Sequence, residues 1–220
     1  VATPSASYVS GDTSLAALND GDHPRSSRTS PDHAYGNWNM RTTQWVQYDW
    51  DQPIHTDRIE IYWWNDGGGI LFPSAYRILY WDGDAFRPVE NADGYGIEAD
   101  RFNVTTFDAV RTTRLRVEID PGRESTGILE WRVIDAGDSP RFPPTVEAGT
   151  VRTVILGGHT YLTGRVRSLY DDATDVSWSK VSGPGEVTFE NAAAAETTAT
   201  FSAVGEYTLR LTAADGEHSR

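Results

Sequence analysis

The chain has 220 residues, no cysteine and a formal charge of −13. A chain without cysteine has no disulfide, no thiolate catalysis and no cysteine-based zinc site. With 32 acidic against 19 basic residues, it lacks the clustered cations that displace counterions from nucleic acid, and no apolar run approaches the ~20 residues of a membrane-spanning helix.

The length suits one large or two modest domains. Eight Trp, ten Tyr and seven Phe fit a β-rich architecture or a stacking surface. The opening "VATPSASYVSGDT" has neither the basic nor the apolar region of a secretory signal and reads as a mature or trimmed start.

In chain order, the first constellation is "ALNDGDHPRSS", where Asp20 and Asp22 straddle a glycine with hydroxyls nearby. Hard oxygen ligands at such short spacing suit Ca²⁺, although the residue ladder of an EF-hand is missing. An Asx-turn with solvated carboxylates is the alternative. Next comes "SPDHAYGNWNMR", residues 30–41, polar and rich in rings.

The segment "IEIYWWNDGGG" alternates with period two. Ile59, Ile61 and Trp63 share one strand face, and Arg58, Glu60, Tyr62 and Trp64 share the other. This predicts a buried Trp63 and an exposed Trp64 at the strand end. The three glycines after it leave room for a ligand to approach the backbone, and Asn65 and Asp66 supply donors and acceptors. A shallow sugar site is built from such parts; a glycine-rich turn between ordinary sheet aromatics is the other reading. Farther on, Leu115, Val117 and Ile119 alternate with charged residues, as do Leu129, Trp131 and Val133 in "ILEWRVID". Turn signals such as "WDGD" and "DPG" separate these runs. No segment predicts a long helix, so the class is all-β.

After Asp135, "AGDSPRFPP" holds three prolines in nine residues and disfavours both helix and central strand. It divides the chain into residues 1–136, a linker at 137–145, and residues 146–220. The second part carries short runs, "TVRTVIL", "HTYLTGRV", "DVSWSKV", "EVTFE", "TTATFS" and "EYTLRLTAA", spaced as strands of an immunoglobulin-type sandwich. Trp178 falls where that fold buries its central ring, and Tyr207 where a tyrosine corner lies. Such a sandwich closes with one more strand after "LTAADGE". Residues 146–220 are therefore expected to form a truncated module with an unpaired edge beside the last strand, a liability for association.

On "WSKVSGPGEVTFENAAAAETTATFSAVGEYTLRLTAADGE" the second part resembles PKD and bacterial immunoglobulin-like modules, which implies a spacer or interaction role. The first part resembles the discoidin family, or coagulation-factor C-type domains, and within it family 32-like carbohydrate-binding modules. The residues that carry this are "SASYVSGDTSLAALNDGDHPRSS", "TTQWVQYDW", "IEIYWWNDGGG", "FPSAYRILYWDG" and "GILEWRV". The resemblance implies an eight-stranded jelly-roll sandwich that binds ligand through loops at one end. It also implies a structural Ca²⁺ held by Asp20, Ser26, carbonyls near Ala17 and Asp22, and Glu130. Arg25 falls where a threonine often lies, which leaves the hydroxyl ligand open.

The same resemblance places residues 30–41 at the ligand end. His33, Tyr35, Asn37 and Arg41 become candidate sugar contacts beside Trp64, Asn65 and Asp66, and Trp38 stands between core and platform. Arg123 and Glu124 in "PGREST", Tyr95 and Phe102 are weaker additions. The function implied is a non-catalytic carbohydrate-binding module with a spacer, from a secreted bacterial glycoside hydrolase whose catalytic domain lies in the same parent chain. Arabinose- or galactose-containing polysaccharides are the implied partners. An adhesion or protein-interaction pair on a cell surface is the alternative. The candidate loops lack the basic and aliphatic spikes of a membrane binder.

The sequence offers little support for catalysis; a stand-alone hydrolase, the third reading, would need two converging carboxylates. The sequence holds no nucleophile elbow, P-loop or HExxH motif, and carboxylates are everywhere in so acidic a chain. His23, His33, His55, His159 and His218 lack metal-ligand spacing. "NVT" at Asn103 is a formal glycosylation sequon.

Overall fold

The computed structural model describes residues 2–22, 24–137, 139–168 and 174–215. His23, His218 and most of the turn expected after the last strand lie outside them. The chain divides into two units, Ala2–Pro140 and Arg141–Arg220, and the division falls in the proline-rich stretch.

The first unit is built from β1 (Thr3–Ala6), β2 (Tyr35–Gly36), β3 (Gln44–Trp64), β4 (Ala75–Trp81), β5 (Phe86–Pro88), β6 (Phe102–Asp120) and β7 (Gly127–Asp135). The strands pair in the order β2-β7-β3-β6-β4-β5, with β1 added to β3. Two short 3-10 helices, Leu15–Leu18 and Pro31–His33, are the helical elements among the described residues.

Two long strands make this sheet into a sandwich. The β3–β6 register breaks between Asp49 and Ile54, where Pro53 has no ladder bond to make. Before the break β3 pairs with β1, and after it with β7. The sheet bends there, and one core gathers residues from both halves. Val46, Tyr48, Ile78, Leu115, Val117 and Ile119 meet Ile59, Ile61, Trp63, Ile128 and Trp131. Tyr48 and Trp131 stack across it with ring centroids 4.0 Å apart. Seven strands stand where eight were expected, because β3 and β6 each run unbroken through both halves.

The alternation read from sequence holds on the core face. Ile59, Ile61, Trp63, Leu115, Val117 and Ile119 are all fully buried. It fails on the opposite face of β3, where Tyr62 and Trp64 join a second, smaller cluster with Ala34, Ile70 and Leu129. A β-bulge explains part of the difference: Tyr62 pairs with Glu130 and Trp63 with Ile128, so Leu129 is an extra residue in β7. Leu129 therefore turns to the small cluster while Trp131 enters the main core. The expected common face of Leu129 and Trp131 is thus corrected.

The second unit contains β8 (Thr145–Glu147), β9 (His159–Thr163), β10 (Arg165–Arg167), β11 (Asp175–Ser182), β12 (Val187–Phe189), β13 (Glu196–Phe201) and β14 (Thr208–Ala214). They pair as β10-β8, β11-β14 and β12-β13-β9. Trp178 is buried, and its indole N–H donates to the Ala195 carbonyl at 3.0 Å. The Tyr207 hydroxyl donates to the Ala203 carbonyl at 3.0 Å, the back-bond of a tyrosine corner. "TVRTVIL", read as a strand, forms none: no described strand pairs with it, and Val151, Ile155 and Leu156 are exposed. Among the described residues β14 is hydrogen-bonded to β11 alone, and β8 lies close to it without pairing.

Candidate functional site

The aromatic of the "WWNDGGG" turn that meets solvent is not the one the alternation predicts. Trp64 is only 3% exposed and cannot serve as a surface platform. Its ring passes between two glycines: a Cβ on Gly36 would lie 2.8 Å from it, and one on Gly127 2.6 Å. Its indole N–H donates to the Thr29 carbonyl at 3.3 Å. Glycine within a strand marks close approach of this kind. Gly36 and Gly127, both in strands, were the signal in the sequence that Trp64 is enclosed.

Trp38 takes the exposed place instead. It is 56% exposed and sits on the loop just after β2. Ser10 fixes that loop: its hydroxyl donates to the Gly36 carbonyl at 2.7 Å and accepts the Trp38 N–H at 3.2 Å. The indole rests on the glycine run, where a Cβ on Gly69 would lie 2.5 Å from Trp38 Nε1. Gly69 is therefore needed for a ring, and that ring comes from a different loop.

Around Trp38 lies a small pocket of about 200 Å³, lined by Ser10, Asp12, Thr13, Trp38, Trp64, Asp66, Gly69 and Ile70. Asp66 holds the turn: its Oδ1 accepts the Gly68 N–H at 2.6 Å and the Ile70 N–H at 2.9 Å. Asn65 is spent in the same way, its side-chain oxygen accepting the Gly67 N–H at 2.8 Å. Of the residues singled out from sequence, the structure brings Trp38, Trp64 and Asp66 to this pocket. Gly69 belongs to the glycine run already singled out, whereas Ser10, Asp12, Thr13 and Ile70 were missed. The polar turn "SGDTS" carries no periodic signal that could have placed it there.

The other candidates lie apart from the pocket lining. Tyr35 is fully buried, its hydroxyl donates to the Tyr8 carbonyl at 3.0 Å, and burial pushes its phenol above the ordinary range. Asn37 is also buried. Its side chain bonds Thr126 twice, donating to Oγ1 at 3.0 Å and accepting the backbone N–H at 2.8 Å. Both readings as sugar contacts are corrected, because these side chains fasten β2 to the core. Arg41 is exposed but pairs with Glu124 at 2.6 Å. His33 is exposed beside Asp32 and Asp22, at 3.6 and 3.9 Å. A hydrogen bond from Ser30 holds the Asp32 carboxyl below its usual range. Arg123 is exposed.

The metal candidates divide in two. Ordinary alternation beside Trp131 turns Glu130 away from the main core, yet its side chain is only 4% exposed. Gly21 N–H donates to Glu130 Oε2 at 3.1 Å, and Arg132 Nε lies 3.9 Å from Oε1. Asp20 is exposed, with Oδ1 accepting the Asp22 N–H at 2.8 Å. Ala17 is buried, Asp22 is exposed near His33, and Ser26 Oγ accepts the Arg28 N–H at 3.2 Å. Among the described residues no three His, Cys, Asp or Glu side chains converge as a metal cluster. A cation here would therefore draw on carbonyl oxygens as well as carboxylates. A buried carboxylate against a loop of hard oxygen donors fits Ca²⁺ in chemistry.

A bent jelly-roll sandwich with a small aromatic pocket among its loops, followed by an immunoglobulin-type sandwich, defines a pair of non-catalytic modules. The chain belongs to the F5/8 type C domain family, whose profile matches residues 2–134. The K319L-like PKD domain matches residues 148–220. This pairing is typical of secreted bacterial proteins. Among solved structures, a chain of the Streptococcus pneumoniae β-galactosidase BgaA is 18% identical with a TM-score of 0.55, covering 60% of this chain and 91% of that one. The family 32 module of C. perfringens NanJ, solved with galactose, is 16% identical with a TM-score of 0.48, covering 60% and 92%. A pectin-binding carbohydrate-binding module is 18% identical with a TM-score of 0.46, covering 63% and 93%. The first is a likeness of fold; the other two are weaker.

Proposed function

We propose that the first unit is a carbohydrate-binding module that seats one sugar ring against Trp38, with Asp12 and Asp66 at the rim. The observation that carries this reading is an exposed indole fixed beside a pocket of about 200 Å³. A sugar's apolar C–H face leaves water when it stacks on indole, and its hydroxyls find acceptors around the edge. The second unit acts as a spacer. Together they hold a polysaccharide-degrading domain of the parent protein near a polymeric substrate, where raised effective concentration makes weak binding sufficient.

We also propose a structural Ca²⁺ at the 20–22 loop. Glu130 and Asp20 would hold it with carbonyls near Ala17 and Asp22 and the Ser26 hydroxyl. The ion would supply positive charge between the buried Glu130 carboxylate and the exposed oxygens of the loop and so pin the loop to β7. The test of the sugar site is a glycan array, with and without chelator, of the wild type and Trp38→Ala. Wild-type binding that Trp38→Ala abolishes supports the reading. Binding unchanged by that substitution, or no binding on the array, overturns it.

A further inference from the structure

The charges at the pocket are all of one sign. Asp12 and Asp66 line it, and no Lys, Arg or His does so among the described residues. The Asp12 side chain is exposed and makes no hydrogen bond or ion pair among the described residues. Asp66 commits Oδ1 to two backbone N–H groups, which leaves its other carboxylate oxygen without a bond to the turn. Arg28 lies against Gly67, outside the lining, and Arg41 is paired with Glu124. Ser10 and Thr13 add hydroxyls, but each already donates: Ser10 to the Gly36 carbonyl at 2.7 Å and Thr13 to the Ser10 carbonyl at 3.0 Å. The side chains of the rim therefore offer mainly acceptors and negative charge, with the Trp38 indole N–H as a donor among them.

From this we propose that the site selects sugars by charge: it prefers a hexosamine with a free, protonated amine and rejects uronates. The proposal rests on the sugar-binding reading above and specifies its ligand class. An ammonium group presents three donors and a positive charge to a rim of acceptors. A uronate carboxylate there meets like charge from the lining, and the nearby guanidinium of Arg28 lies outside that lining, against Gly67. At contact distance even water-screened charges change an equilibrium severalfold each. With two carboxylates the preference for the amine over its N-acetylated form is about tenfold.

The experiment titrates the whole chain calorimetrically with short glucosamine oligomers, N-acetylglucosamine oligomers and oligogalacturonate. The titrations are run at about pH 5.5, where the sugar amines carry their proton. A chain of charge −13 attracts any cation over its whole surface, so Trp38→Ala, which keeps every charge, is the control. Asp66→Asn retains Oδ1 as the acceptor for Gly68 and Ile70, so the turn is preserved in the second test variant.

The expected result is tighter binding of the amine oligomer, lost in Trp38→Ala. In Asp12→Asn/Asp66→Asn its advantage over the N-acetylated form should also be lost. Trp38-dependent binding that is equal for all three, or tighter for the uronate, overturns the charge proposal and leaves the sugar site standing. An amine preference that persists in Trp38→Ala is general attraction and overturns it too. No binding of any oligomer overturns the sugar site itself.

Discussion

A Cβ on residue 69 would stand 2.5 Å from Nε1 of Trp38, so the indole occupies the space a side chain at 69 would need. Gly69→Ala must therefore displace the ring, and the ring has open solvent to move into. The expected outcome is reduced glycan affinity with an almost unchanged melting temperature. Calorimetric titration paired with thermal melting checks both halves of the statement. An alanine variant that binds as well as wild type would show that the ring's position is not what the ligand reads.

Trp38 and Trp64 line the same pocket yet differ in burial. Trp38→Ala removes an exposed ring and should change stability by no more than about 0.5 kcal/mol. Trp64→Ala empties a closed space between Gly36 and Gly127 and should cost about 3–5 kcal/mol. Urea unfolding of the two variants separates them. Equal losses of stability would mean that Trp38 is also part of the core.

Why Trp64 reads from the sequence as the exposed ring, when it is buried, follows from the same geometry. Period-two alternation reports which face of a strand a residue takes, and it placed Ile59, Ile61 and Trp63 in the core, where they lie. It does not report whether the other face is covered. Here Ala34 and a bulged Leu129 arrive from distant parts of the chain, and Ile70 folds back from the glycine turn, to cover Tyr62 and Trp64. The bulge at Leu129 is equally silent in "GILEWRV", because an extra residue shows only against its partner strand. The glycines were informative about close approach but could not name the ring that approaches. The contact between the 20–22 loop and Glu130, more than a hundred residues apart, came from family resemblance and not from any local pattern.

That contact carries a prediction about metal. If Ca²⁺ ties the loop to Glu130, it binds only the folded state and raises its stability. Chelator should lower the melting temperature of the first unit, and calcium should restore it. Asp20→Ala should remove the response while leaving the apo melting temperature nearly unchanged. Glu130→Gln should remove it as well. Identical melting of chelated and calcium-loaded protein would eliminate the ion from this account.

The second unit carries the last prediction. Val151 and Ile155 are its two most exposed large hydrophobic side chains among the described residues, in a segment whose composition favours a strand. They remain outside any sheet because a strand is stabilised by ladder hydrogen bonds and cross-strand pairs, and no described strand supplies them. In the same unit, among the described residues, β14 has no hydrogen-bonded strand on one side, where a groove of about 630 Å³ separates it from β8 and is lined by Thr145, Val146, Glu147, Ala148, Val181 and Thr208–Leu211. A strand-prone apolar segment and an open edge in one molecule favour pairing between molecules. We expect the chain to self-associate with rising concentration, as read by sedimentation velocity. Val151→Lys/Ile155→Lys should suppress that association without lowering the melting temperature, since neither side chain contributes to a core. Lysine is effective here because its charge is costly to bury in an intermolecular sheet and harmless in water. A wild-type chain that stays monomeric across the accessible concentration range, or a lysine variant that associates as strongly, would remove the edge and the segment as its cause.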